Sequence, residues 1–369
     1  MSLSSIDVSG YRSLRNVRLP LEQLTVITGP NGSGKSNLYR VLRLLSQISE
    51  GEFARSLSRE GGFLSAMWAG QWNARKPQRM TVGFQTEEFS FELSCGFPKP
   101  SRSVFAYDPE IKEEFVWIGE KRKPSTTLLR RSAGITMVRD TDGQRVEYPL
   151  VLAENESVLS QLREPHRFPE LFSLRDEVRG WRFYHAFDTD EQAALRFPQV
   201  SVRTPVLSPD GSDLAAALQT ILEIGDGDRM MNAVTAGLPG RGLQIHQNEG
   251  DTKKSPRGTE LCIALKTEGC LRALTAGELS DGTLKYLCLV AALLSPRPPA
   301  LIALNEPESS LHSELLPPLA QLIVDASEHS QVWVTTHSQI LAAEIEERSG
   351  VRPVQLRLEN AETVIETPD

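Results

Sequence analysis

The chain has 369 residues, 40% of them hydrophobic, enough for one large domain or two modest ones with a real core. A formal net charge of −8 excludes a protein that coats nucleic acid through bulk charge, and leaves open a local basic patch. Cys95, Cys262, Cys270 and Cys288 show no paired metal-ligand spacing and no Cys-x-x-Cys, and His166, His185 and His312 add none, so separate thiols and no zinc are expected.

Residues 1–10 lack the basic segment and apolar run of a signal peptide, and no stretch approaches the roughly 18 apolar residues of a membrane span. The cytoplasm is the expected compartment, with no membrane partner. Residues 4–8 and 17–19 read as short strands about a turn at Gly10-Tyr11-Arg12-Ser13. Leu24–Thr28 is an apolar, β-branched strand that feeds the string Gly29-Pro30-Asn31-Gly32-Ser33-Gly34-Lys35-Ser36. From Asn37 onward, Leu38, Val41, Leu42, Leu45 and Ile48 recur at helical spacing.

Between residues 51 and 152 the texture alternates, as in 80–85 and 89–94, and Asp142-Gly143 suits a hairpin turn, so a β-rich lobe is expected. Helices are predicted at 154–163 and 170–179, followed by the aromatic stretch Trp181 to His185. Residues 208–213 offer capping side chains before Leu214, Leu218, Ile221 and Leu222. A polar loop at 248–258 joins strands near 242–247 and 259–266. Beyond it, a helix (282–294) stopped by prolines, a buried strand (300–304), a helix (311–327), a strand (331–335) and a helix (338–347) alternate. Such alternation predicts a mostly parallel sheet, hence an α/β fold whose first strand and loop lie at the N-terminal end and whose remainder lies beyond about residue 275.

Three strings carry chemistry. In Gly29-x-x-x-x-Gly34-Lys35-Ser36, glycines let backbone amides approach phosphate oxygens at a helix start; Lys35 is expected on the β- and γ-phosphates of ATP and Ser36 on Mg²⁺. The strand before it and the helix after it are the context this motif needs. Asn305-Glu306-Pro307-Glu308 follows an apolar strand, where Glu306 is placed to accept a proton from water and Asn305 to hold metal-bound water; acids that merely end a strand and cap the next helix are the alternative. His337 follows a second such strand, at the carboxyl end where open α/β sheets place ligands. A lone histidine there is more often structural, but the Thr335-Thr336-His337-Ser338 string beside the Glu306 strand favours a role in chemistry. Ser280-Asp281-Gly282 opens a helix as an anion site or, more simply, as an ordinary N-cap. Lys121-Arg122-Lys123, Arg130-Arg131, and Arg75-Lys76 with Arg79 are each read as solvated surface, their common lobe alone making a DNA groove conceivable.

Together these strings resemble the ATPase head of the ABC and SMC group, with the RecF-like and OLD-like AAA-family ATPases of bacterial repair and antiphage defence nearest. The resemblance covers about 1–48 and 270–345 well and the middle loosely. It implies that residues 29–36, with Asn37, are Walker A, Ser280-Asp281-Gly282 the signature loop, Asn305-Glu306 the Walker B end, residues 309–312 the D-loop and His337 the switch histidine. It further implies an ATP-dependent homodimer in which each Ser280 reaches the other head's nucleotide, with DNA or a separate nuclease or effector protein as further partner. An ABC/SMC-type core is then expected at 1–50 and 270–369, the inserted antiparallel lobe at 51–152, and a helical lobe with connecting strands at 153–269. Asn305 stands where the pattern has an acid, so slow turnover or a long-lived ATP-bound dimer is expected. The glutamine of the Q-loop is not identifiable, with Gln71 and Gln85 the only guesses. Some thirty residues past His337 leave room for two short strands and not for a TOPRIM domain, and the chain is too short for SMC arms. An ATP-gated scaffold that barely hydrolyses is the competing class, and a transporter subunit a weaker third.

Overall fold

The computed structural model describes residues 2–72, 77–99, 102–148, 152–249 and 259–366. Arg75 and Lys76, and nearly all of the predicted 248–258 loop, lie outside them. The chain divides into two units, one of Met1–Glu22, Ile27–Trp181 and Val354–Asp369, the other of Gln23–Val26 and Arg182–Pro353.

In the first unit, β1 (Leu3–Tyr11) and β2 (Leu14–Pro20) precede β3 (Leu24–Thr28), whose last two residues belong here, and α1 (Lys35–Glu50). Short helices α2 (Phe53–Arg59) and α3 (Phe63–Ala66) lead to β4 (Arg79–Thr86), β5 (Phe89–Gly96), β6 (Glu110–Ile118), β7 (Thr127–Ser132), β8 (Ile135–Arg139) and β9 (Arg145–Glu147). These strands form one antiparallel sheet in the order β2-β1-β4-β5-β6-β7-β8-β9. The N-terminal strands thus extend the alternating segment, because period-two burial lets Val8 stand opposite both Val17 and Val82. The Asp142-Gly143 turn forms as predicted: Asp140 Oδ1 accepts from the amides of Asp142 and Gln144, and Gly143 takes φ 76°.

The helix predicted at 154–163 shrinks to α4 (Val158–Gln161). Arg131 donates to the carbonyls of Glu156 and Ala153, holding the preceding residues out of helix, and buried Glu114 accepts from Ser157 Oγ (2.5 Å) and the Val158 amide. Helix α5 (Pro169–Arg179) matches its prediction, and Ser46 of α1 donates to Val178 O at 3.2 Å.

Just before α4, burial and the charge of Glu52 push the Glu156 carboxyl up to about 7, with Oε2 buried and unpartnered among the described residues. An acid whose pKa is raised on folding binds more protons folded than unfolded, so its contribution is full below about 4.5 and lost as pH rises through about 7. Glu156→Gln is expected to raise stability at pH 8 by about 1 kcal/mol after allowing for solvent screening, and to flatten the parent's decline between pH 5 and 8. Urea midpoints across that range test this; parallel curves for the two proteins refute it.

The second unit opens with β10 (Arg182–Tyr184) and β11 (Gln199–Val200), then α6 (Leu214–Ile224), α7 (Gly227–Gly237), β12 (Arg241–Glu249), β13 (Thr259–Thr267) and β14 (Leu274–Thr275). There follow α8 (Asp281–Leu293), β15 (Leu301–Asn305), α9 (Leu316–Ala326), β16 (Gln331–Thr335) and α10 (Gln339–Ser349). Strands β10, β15 and β16 pair in parallel, Tyr184 beside Leu304 and Leu304 beside Val334, and the Val332 amide donates to Gln23 O just before β3. Both β15 and β16 are buried along their whole length, as a strand with two covered faces must be. Leu24 and Val26 join their core, with Leu218, Leu287 and Leu319 from the helices. Strands β11, β12, β13 and β14 form a separate antiparallel sheet.

Two local predictions change here. The helix expected from 311 begins at Leu316, because Pro317 and Pro318 suit a first turn and a 3₁₀ turn at Ser313–Leu315 precedes it. Asp213 does not cap α6 with its side chain; its carboxylate instead accepts from the Ser208 amide and hydroxyl.

The chain then returns to the first unit as β17 (Val354–Glu359) and β18 (Glu362–Glu366), an antiparallel hairpin with β17 parallel to the end of β3. The mostly parallel prediction therefore holds for β3, β10, β15, β16 and β17, while β18 is antiparallel. No helix among the described residues is long and apolar enough to cross a membrane. Cys95 and Cys288 are buried, Cys262 and Cys270 partly so, and all four are free thiols.

Candidate functional site

The candidate phosphate loop is built from backbone geometry. Gly29, Gly32 and Gly34 adopt φ 148°, 82° and 109°, the region that favours glycine. At Gly34 a Cβ would run into Thr363 Oγ1 of β18, and at Gly29 into Leu356 O of β17, so the C-terminal hairpin forms the back wall of the loop. Thr363 also bonds Ser13, its hydroxyl 2.7 Å from Ser13 Oγ and its amide donating to Ser13 O, and Asn37 Nδ2 donates to the same Ser13 hydroxyl. Asn37, predicted among the nucleotide contacts, therefore fastens the β1–β2 turn to α1.

The front of the loop is open: nothing lies within 4 Å of a Cβ placed at Gly32. Lys35 is buried and its Nζ donates to Gly29 O (2.6 Å) and Pro30 O (3.1 Å). Ser33 Oγ is buried without a hydrogen-bond partner among the described residues. Ser36, exposed, follows in the first turn of α1, where amides have no intrahelical acceptor. A nested backbone, a buried ammonium, an unsatisfied hydroxyl and a helix N-terminus fit a phosphate chain with its cation.

In the second unit a compact polar cluster forms where β15 and β16 end. Glu306 follows β15 in a left-handed conformation, φ 49°, its amide donating to Thr335 O at 2.8 Å. Such backbone is uncommon for a residue with a side chain and concentrates at functional sites. His337 Nδ1 lies 3.8 Å from Glu306 Oε1 and 3.3 Å from Glu308 Oε1. Glu308 is the organiser: one buried oxygen accepts from Thr336 Oγ1 (2.6 Å) and from the amides of His337 (3.0 Å) and Ser338 (3.2 Å). Lys285 of α8 reaches the same place, its Nζ donating to Ser309 O at 2.5 Å. Burial lowers the Lys285 pKa, while the charges of Glu308 and Glu306 act the other way. Asn305 is buried with both ends of its amide engaged, Nδ2 at 2.8 Å from His185 Nδ1 and Oδ1 accepting from Thr335 Oγ1 at 2.8 Å.

Ser280, Asp281 and Gly282 also lie in the second unit. Ser280 is the N-cap of α8, its hydroxyl accepting from the Thr283 amide at 3.3 Å and meeting Thr283 Oγ1 at 2.8 Å. A Cβ on Gly282 would approach Ser310 O to 2.8 Å, so the close passage of residues 309–312 requires glycine there. Arg196 fixes the segment from behind, donating to the carbonyls of Ala276 and Leu279 and to Asp281 Oδ1 (2.5 Å). Its Nε meanwhile holds Thr189 O and Asp190 O. Arg196, Lys285, His185 and Thr363 escaped sequence reasoning, since each acts on residues far along the chain and none sits in a recognisable string. Of the Q-loop guesses, Gln85 accepts from Arg18 within the antiparallel sheet and Gln71 lies exposed in a loop.

A family model described as "AAA ATPase domain" matches residues 1–151, and one described as "AAA domain, putative AbiEii toxin, Type IV TA system" matches residues 149–343. No curated protein matches the sequence. Among solved structures, an Smc head bound to the C-winged helix domain of ScpA is 14% identical, with 99% of this chain and 98% of that chain covered at a TM-score of 0.56. An Smc head with an extended coiled coil from Pyrococcus furiosus, bound to the C-terminal domain of ScpA, is also 14% identical, with 99% and 96% covered at a TM-score of 0.54. At such identity the likeness speaks for the fold. With more than half of its length inside the second family model, the chain belongs to that AAA-domain family, and it has the fold of an SMC head.

Proposed function

We propose that the protein binds ATP with Mg²⁺ at Gly29 to Ser36 and hydrolyses it slowly, nucleotide binding driving two heads together. The observation that carries this reading is Glu306, held in left-handed backbone at the end of β15 with His337 beside it and Glu308 fixing the loop beneath. Lys35 supplies positive charge to the β- and γ-phosphates, and the amides opening α1 donate to their oxygens. Ser36 is the metal ligand, and the cation's contribution is to neutralise phosphate charge. Glu306 accepts the proton of the attacking water, and His337 donates an N–H towards the γ-phosphate. Ser280, capped on α8 and held by the loop that Arg196 fastens, serves the nucleotide of a second copy. The three-part division expected from the sequence, core, β-rich lobe and helical lobe, belongs to the same proposal.

Asn305 sets the speed. Its amide is neutral and committed to His185 and Thr335, so it adds no negative charge around the metal. That commitment favours a second reading in the same molecule, an ATP-gated scaffold that barely turns over and holds a separate nuclease or toxin. Service in DNA repair or antiphage defence belongs to the same proposal, and the toxin–antitoxin wording of the matched family supports defence. DNA remains a further partner in this proposal, in the cytoplasm.

Sizing the protein with and without ATP and Mg²⁺, beside phosphate release from parent and Glu306→Gln, tests the reading. Expected are a monomer that becomes a dimer with ATP, and a variant that dimerises for longer while hydrolysing about 10²-fold or more slowly. A monomer under both conditions refutes the dimer, and equal hydrolysis removes Glu306 as the base. Biological activity lost in the variant marks a motor, whereas activity retained marks the scaffold.

A further inference from the structure

We propose that a cleft on the face of strands β6 to β9 binds a phosphorylated nucleotide, at a site separate from the phosphate loop. Its volume is about 440 Å³, within the range of small-molecule sites and suited to one or two nucleotides. Five cations line it: Arg122, Lys123, Arg130, Arg139 and Arg145. In a chain of net charge −8 this is a marked local excess. The one carboxylate in the lining, Glu113, is engaged by Arg79 at 3.3 Å.

The pairing of strands makes the excess costly. Arg139 of β8 stands directly opposite Arg145 of β9, so their side chains share a face, and like charges so placed repel. Lys123, Arg130 and Arg139 form no ion pair among the described residues, and Arg139 Nε is buried without a hydrogen-bond partner among them. A bound phosphate would relieve both conditions at once, since guanidinium groups take phosphate oxygens through paired N–H donors.

The remaining lining gives the ligand's other half. Phe115, Leu128 and Met137 supply apolar side chains to the same lining. The Arg122 guanidinium lies 3.9 Å from the centre of the Phe115 ring and donates to Glu92 at 2.9 Å, so it is already fixed at the rim. Cations converging on a concave, partly apolar lining match a nucleotide, whose base and sugar need cover and whose phosphate needs charge. A stripe of cations along an open surface would match a duplex backbone instead.

The test uses the full chain with Lys35→Ala, which silences the phosphate loop, and a fluorescently labelled, 5′-phosphorylated thymidine dinucleotide as probe, read by polarisation. Saturable binding is expected, weakened about tenfold or more by adding Arg139→Gln and Arg145→Gln together. Removing the 5′-phosphate from the probe should weaken binding comparably. Arg130→Gln, at an exposed position, should lower affinity and serves as the second variant if the double one does not fold. Absence of binding, affinity indifferent to these substitutions, or equal binding of the 5′-hydroxyl probe overturns the proposal. A blunt duplex without terminal phosphates that competes equally per phosphate would assign the cleft to nucleic-acid backbone and overturn it too.

Discussion

Replacing Gly34 by alanine is expected to destabilise the first unit by ~3–5 kcal/mol and to abolish nucleotide binding. The glycine's φ of 109° is strained for any residue with a side chain, and the new methyl would overlap Thr363 Oγ1. Left-handed strain contributes about 1–3 kcal/mol and overpacking a similar amount. Because the second part is steric, Thr363→Ala should recover some of it by removing the hydroxyl and methyl that Gly34 faces. A double-mutant cycle by urea denaturation is then expected to show about 1–2 kcal/mol of coupling between the positions, with nucleotide affinity followed by calorimetry. Strict additivity would mean that the hairpin does not back the loop.

Glu308→Ala should unsettle the polar cluster where β15 and β16 end. One buried carboxylate oxygen satisfies the Thr336 hydroxyl and the amides of His337 and Ser338. Its removal strands the Thr336 hydroxyl and the His337 amide, while the Ser338 amide keeps Thr336 Oγ1 at 2.9 Å, and orphaned polar groups cost about 1–3 kcal/mol each when buried. Since Thr336 is fully buried and its two successors are partly exposed, a loss of ~2–4 kcal/mol is expected. Hydrolysis should fall at least about tenfold, because a loosened His337 no longer sits beside Glu306. Unfolding midpoints and steady-state phosphate release measure the two effects. Stability within about 0.5 kcal/mol of the parent, the scatter of surface substitutions, and an unchanged rate would leave Glu308 as no more than the end of a strand.

Why Glu306 was legible and Glu308 was not is a matter of range. Glu306 follows an apolar run of four residues, and the carboxyl end of a buried parallel strand is where such sheets place their ligand chemistry. Glu308 acts on residues 336–338, a partnership that depends on the parallel register of β15 and β16 and that no local string encodes. The glycine turn between β3 and α1 was legible because its requirement is local: positive φ at Gly29, Gly32 and Gly34 favours glycine at those places. The wall behind it was invisible, since Thr363 and Leu356 lie more than three hundred residues away. Periodicity located most helices and strands, including α1, α5 and β15. It failed at 154–163, where Arg131 takes the carbonyls that a helix would use, and where burial of Glu114 at the start of α4 outweighs propensity. The composition at 121–131 likewise held the basic residues but not their meaning. Strand pairing alone shows that Arg131 is a buried strut while Arg130 opens onto a cleft.

The hairpin β17–β18 sets a timetable for this molecule. Gly34 leaves the ribosome more than three hundred residues before Thr363, the side chain against which it closes, and Ile27 and Thr28 likewise long before their partners Val354 and Gln355. Such distant contacts form slowly, since a long stretch of chain must be closed before they reward it. A nascent chain therefore carries every residue of its phosphate loop long before it carries a finished one. A ribosome that stalls before Thr363 releases a chain without the wall that shapes the loop.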